Sequence, residues 1–288
     1  MALINLDFES HYLGFNTNVN IIMPDQPRTS TPEEFYGSNA KYKVLWLLHG
    51  TFGGHSDWIR KSNIELYACE HDLIVVMPSA GNSDYEEWDN FKLGYDAEKM
   101  IIKELMPLVH HWLPASDKPE DNFIAGLSMG GHGALRLTCL YPEKFGGCAS
   151  LSFCPRNEDP KELKKLFGLS RKELKELEDV MHSKLRAYNR MHRYDTFEEY
   201  WESSSNNYGL LIKALEEGRL PPLFFSCGTE DPLMAEPYED LKAYFKKKGY
   251  SAVFTEGPGS HEWRVWERDI QKALAFFGIA GEEKGNAF

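Results

Sequence analysis

The chain has 288 residues, of which 42% are hydrophobic and 13% aromatic, and this composition excludes intrinsic disorder. Its 32 basic and 44 acidic residues leave a formal charge of −12. Such a surface repels phosphates, so neither a nucleic acid nor a membrane is expected as a partner.

The elements fall in a regular order. Residues 3–8 and 19–23 read as an antiparallel pair on a sheet edge. Short, nearly unbroken apolar runs follow at 44–48, 73–77, 122–125, 148–153, 223–227 and 252–255. Runs of this kind suit strands covered on both faces. Helical periodicity falls between them at 97–112, 131–141, 238–248 and 263–277. The alternation predicts an α/β fold with a mostly parallel central sheet flanked by helices. One stretch breaks the rhythm. Residues 156–218 are charged and helical, with capping boxes at Ser170/Glu173 and Thr196/Glu199. They are expected to form a helical cap inserted into a core domain of residues 1–155 and 219–288.

Gly126-Leu127-Ser128-Met129-Gly130 follows a strand and opens a helix. That is the setting of a nucleophile elbow, in which a sharp turn projects the serine from the sheet edge. A serine needs a base and the base an orienting acid, and in this arrangement both come later in the chain. The run at 223–227 ends in Gly228-Thr229-Glu230-Asp231-Pro232, and the last strand ends in Gly257-Pro258-Gly259-Ser260-His261. Ser128, Asp231 and His261 are therefore the candidate catalytic residues, with Glu230 expected to be a solvated neighbour. The oxyanion hole is expected from the backbone N–H of Met129 and that of Thr51, with Phe52 as second choice, in the loop His49-Gly50-Thr51-Phe52-Gly53-Gly54. His49 is expected to be structural. Phe52, Trp58 and Trp263 are candidates to bind substrate. Asp84, Glu86, Glu87 and Asp89 surround Trp88 and are expected to form a solvated loop, since they lack a metal-loop spacing. His182 and His192 belong to the charged insertion. No metal or cofactor is required.

The start Met1-Ala2-Leu3-Ile4-Asn5 lacks the basic residues of a signal peptide. Cys69, Cys139, Cys148, Cys154 and Cys227 form no C-x-x-C pair and are expected to be reduced. A cytoplasmic location is expected on both grounds.

The chain resembles the esterase D-like group of α/β-hydrolases, which includes S-formylglutathione hydrolases, antigen 85 acyltransferases and tributyrin and cinnamoyl esterases. The resemblance rests on Leu47-Leu48-His49-Gly50, on Gly126 through Leu135, on Cys227-Gly228-Thr229-Glu230-Asp231 and on Gly259-Ser260-His261-Glu262-Trp263. Tyr12-Leu13-Gly14 and Val19 through Pro24 look like the tributyrin-esterase branch. The resemblance implies that Ser128, Asp231 and His261 form a triad acting on small short-chain acyl or hydroxycinnamoyl esters. A homo-oligomer is a further expectation from it. The alternatives are a formylglutathione-type thioesterase or an acyltransferase; the absence of cysteine from residues 51–58 counts against the first.

Overall fold

The computed structural model describes residues 2–88, 93–177 and 183–279. Asp89 and His182 lie outside the described residues. The strands are β1 (Ala2–Ser10), β2 (Phe15–Met23), β3 (Val44–Leu48), β4 (Ile74–Pro78), β5 (Glu87–Trp88), β6 (Tyr95–Asp96), β7 (Asn122–Leu127), β8 (Gly147–Leu151), β9 (Leu223–Gly228) and β10 (Val253–Gly257). Eight of them form one sheet in the order β1-β2-β4-β3-β7-β8-β9-β10, while β5 and β6 pair separately. The leading strands are antiparallel, β1 to β2 and β2 to β4, and every later pairing in the large sheet is parallel.

The apolar runs explain the layering. In β3, Val44, Trp46 and Leu48 enter one core cluster, while Leu45 and Leu47 enter a second one on the opposite face. A strand with a side-chain period of two must be apolar throughout if both faces are covered. Before the elbow the helices are α1 (Pro32–Tyr36), α2 (Asp57–Lys61), α3 (Ile64–Glu70), α4 (Ala97–Lys99) and α5 (Met106–Trp112). After it come α6 (Met129–Leu140), α7 (Pro160–Phe167), α8 (Arg171–Lys175), α9 (Ser183–Met191), α10 (Phe197–Glu202), α11 (Asn207–Glu216), α12 (Ala235–Lys248) and α13 (Trp263–Phe276). Residues of α5, α6, α11 and α12 share the cluster of Trp46, and residues of α2, α3 and α13 share that of Leu45.

The helix expected over 97–112 is not uniform, because Met100–Leu105 form a π-helical segment between α4 and α5. Pro107 stands in the first turn of α5. Its missing N–H and its ring bulk oppose a regular α-turn there, and a wider turn accommodates them.

Helices α7 to α11 lie between β8 and β9 in the chain. Leu163, Met191, Phe197 and Tyr200 from α7, α9 and α10 form a small separate cluster. Both capping boxes form: Ser170 and Thr196 accept from the amides of Glu173 and Glu199, whose carboxylates reach back. All five cysteines are free thiols, four of them buried. No helix among the described residues is long and apolar enough to cross a membrane.

Candidate active site

The strand β7 and helix α6 leave one residue between them, Ser128, with φ 51° and ψ −116°. A positive φ on a serine is strained and persists only where the surroundings enforce it. Here the neighbours enforce it by closeness. A Cβ on Gly126 would fall 2.3 Å from the Gly130 carbonyl carbon, and one on Gly130 would fall 2.4 Å from the Leu48 oxygen. The Ser128 amide donates to the Leu151 carbonyl at 2.8 Å, anchoring the turn to β8. The start of α6 adds its partial positive charge beside the hydroxyl.

Two loops from the same end of the sheet meet this serine. His261 Nε2 lies 2.9 Å from Ser128 Oγ, and His261 Nδ1 lies 2.8 Å from Asp231 Oδ2. Asp231 Oδ1 accepts from the amides of Leu233 at 2.9 Å and Met234 at 3.1 Å. Burial works to raise the Asp231 pKa, but the bonds from His261 and the two amides outweigh it and hold the carboxyl below its ordinary range. The imidazole packs edge-on against Trp266 at 5.2 Å between ring centres, and the Trp266 N–H donates to Ser152 Oγ at 3.0 Å. Trp266 is a contact the sequence reasoning missed; its place in the first turns of the helix that directly follows His261 was the available signal.

Glu230 is not simply a solvated neighbour. Its carboxylate accepts from the Gly259 amide, its own amide donates to the Gly259 carbonyl at 3.0 Å, and Thr229 N donates to Gly257 O at 2.9 Å. These bonds lace the histidine loop to the aspartate loop. The bond from the Gly259 amide and, after it, one from the Thr229 hydroxyl also draw the Glu230 pKa down.

The loop after β3 lies against the elbow: a Cβ on Gly50 would sit 3.6 Å from Ser128 Cβ. The amides of Thr51 and Met129 have no hydrogen-bond acceptor among the described residues, and free donors are what an oxyanion requires. The second-choice amide, that of Phe52, is already engaged by Asn82 Oδ1 at 2.8 Å. His49 is buried, with Nδ1 2.7 Å from the Gly50 carbonyl and Nε2 accepting from the Ala80 amide at 3.0 Å. An acceptor Nε2 fixes the neutral tautomer, and burial lowers the pKa further.

The three proposed substrate contacts part company. Phe52 is 86% exposed beside the oxyanion loop. Trp58 is buried and donates to the Leu48 carbonyl at 3.0 Å, so it offers no surface to a ligand. Trp263 is wedged between Trp58 and Trp266, each 5.3 Å away, and belongs to the packing under α13.

In the acidic segment Glu87 is exposed, as a solvated loop would have it, but Asp84 and Glu86 are buried. Glu86 is fully buried, paired with Arg190 at 3.1 Å and in contact with Arg193 and Ser205. Asp84 accepts from Arg190 at 3.0 Å. Burial alone would raise the Glu86 pKa, yet Arg190, Arg136, His132 and Arg193 bring it down to about 2. His132, whose amide donates to Ser128 O at 3.0 Å, is buried 2.8 Å from Asn207 and has its pKa lowered by desolvation to about 4. The cluster fastens α9 to the core beside the serine. From the same helix, Arg186 donates to Thr51 Oγ1 at 2.7 Å.

Residues 10–277 match the family model described as "Putative esterase". An acetyl esterase of Caldicellulosiruptor saccharolyticus is 30% identical over 277 residues, covering 95% of this chain and 97% of that protein. Among solved structures, the fluorophosphonate-binding serine hydrolase FphF of Staphylococcus aureus is similar with a TM-score of 0.76 and 28% identity, over 97% of this chain and 99% of that one. The S-formylglutathione hydrolase FrmB of the same organism gives 0.73 and 27%, with the same coverage. The chain therefore belongs to the esterase family, as a serine esterase with the α/β-hydrolase fold.

Proposed function

We propose that the protein is a carboxylesterase that hydrolyses short-chain acyl or hydroxycinnamoyl esters of small alcohols through an acyl-enzyme. The observation that carries this reading is the unbroken hydrogen-bonded line from Ser128 Oγ through His261 to Asp231. His261 Nε2 takes the hydroxyl proton as Ser128 Oγ attacks the ester carbonyl. Asp231, held by two amides, keeps the Nδ1 proton in place and stabilises the imidazolium. The amides of Thr51 and Met129 receive the oxyanion, a contribution commonly worth about 3 kcal/mol for each donor. The imidazolium returns its proton to the leaving alcohol, and water then repeats the sequence to free the acid. The similarity to an acetyl esterase along 95% of the chain supports a short acyl group.

The test is hydrolysis of p-nitrophenyl acetate, butyrate and octanoate and of methyl ferulate, by wild type and Ser128→Ala, with fluorophosphonate labelling of both. Turnover and labelling that vanish together in the folded variant are expected. Well-folded wild type that takes the label but hydrolyses none of these esters would move the assignment to a thioesterase or acyltransferase.

A further inference from the structure

Helix α9 and the turn that follows it carry three arginines, Arg186 and Arg190 on the helix and Arg193 just past its end, and they are not equivalent. Arg190 and Arg193 meet Asp84 and Glu86, two carboxylates for two guanidinium groups. Arg186, one turn before Arg190, has no carboxylate within ion-pair distance among the described residues. Its one hydrogen bond there is to a neutral hydroxyl, Thr51 Oγ1, at 2.7 Å. A guanidinium has five N–H donors and is partly desolvated in this position, so a single neutral acceptor leaves it under-satisfied. Among the described residues Asp84 and Glu86 pair with Arg190 and Arg193, which leaves the charge of Arg186 without a carboxylate in direct contact, on a protein whose net charge is −12. That charge stands at the residue whose amide is the free donor beside Ser128.

We propose that Arg186 is a specificity-determining residue that binds the distal carboxylate of an ester substrate. The preferred substrate is then a half-ester of a short dicarboxylic acid, whose acyl group carries the free carboxylate. The inference rests on the esterase reading above and narrows its substrate class. Covalent geometry puts the guanidinium within about 6 Å of the Thr51 amide nitrogen, given the 2.7 Å hydrogen bond. A succinyl group separates its two carbonyl carbons by about 4 Å. An oxyanion on the Thr51 amide and a carboxylate on Arg186 are thus compatible with one short acyl chain. The planar fork of arginine suits two-point binding of a carboxylate, and the Thr51 hydroxyl pre-orients it.

The experiment compares kcat/KM for p-nitrophenyl hemisuccinate and p-nitrophenyl butyrate, which share the CO–CH2–CH2 chain and end in a carboxylate and a methyl group respectively, at one ionic strength. Wild type, Arg186→Met and Arg186→Lys are measured, each after a thermal melt verifies folding. The expected result is a hemisuccinate-to-butyrate ratio at least tenfold lower in Arg186→Met, with the change mainly in KM and part of it regained in Arg186→Lys. A ratio that stays within twofold, or a parallel loss on both esters, overturns the inference and leaves Arg186 only a support for the Thr51 loop. Wild type that hydrolyses neither ester overturns the esterase reading itself, which separates the two failures.

Discussion

Replacing Asp231 by asparagine tests the site at its least conspicuous member. Asparagine has the same shape, so its oxygen can still accept from the amides of Leu233 and Met234, as Asp231 Oδ1 does. The other arm changes from acceptor to donor. It faces His261 Nδ1, which lies 2.8 Å from Asp231 Oδ2. An amide N–H there forces Nδ1 to accept, and the imidazole proton moves to Nε2. Nε2 is the atom 2.9 Å from Ser128 Oγ, so the base now points its proton at the nucleophile it must deprotonate. The loss expected in kcat is about 10⁴-fold, or about 5 kcal/mol of transition-state stabilisation. The fold should be little affected, because both amide bonds to the loop survive. The assay is kcat on p-nitrophenyl butyrate against the melting temperature of the same preparation. A variant that keeps more than about one thirtieth of wild-type kcat would refute the assigned tautomer and with it the role of Asp231.

Two further outcomes concern stability. Glu86→Gln leaves Arg190 and Arg193 beside a neutral amide in a buried site, which is expected to cost about 4 kcal/mol; for 288 residues this corresponds to a melting temperature about 7 °C lower. A shift under about 2 °C by circular dichroism would indicate that water already screens the cluster. Acid should also destabilise the protein. The folded-state pKa of His132 is lowered from 6.5 to about 4, so the unfolded chain takes up the proton first as pH falls through that window. Stability is full above pH 6.5 and declines by about 3 kcal/mol towards pH 4, after which Glu86, lowered from 4.5 to about 2, extends the loss. Urea melts between pH 7.5 and 4 measure the slope, and a flat profile in this range, or one unchanged in His132→Asn, would exclude His132 as its source.

The α/β alternation and the three candidate catalytic residues were legible in the sequence for local reasons. A strand buried on both faces must be apolar along its length, and an elbow must combine two small residues with a serine between a strand and a helix. The aspartate and histidine follow the ends of the next strands, where a parallel sheet gathers its loops on one edge. What local pattern could not decide was the fate of groups whose partners are remote in the chain. Asp84 and Glu86 look like a hydrated acidic loop, yet Arg190 and Arg193, 106 and 107 residues later, make them a buried ion cluster. Glu230 has the composition of a surface residue and becomes a tie because β9 and β10 run parallel and bring Gly259 beside it. Trp58 and Trp263 carry the same side chain a binding surface would use, and only the packing of α2 against α13 turns both inward. A charge or a ring has no burial of its own. Its surroundings are set by which elements the assembled sheet places against it, and that is a property of the tertiary structure alone.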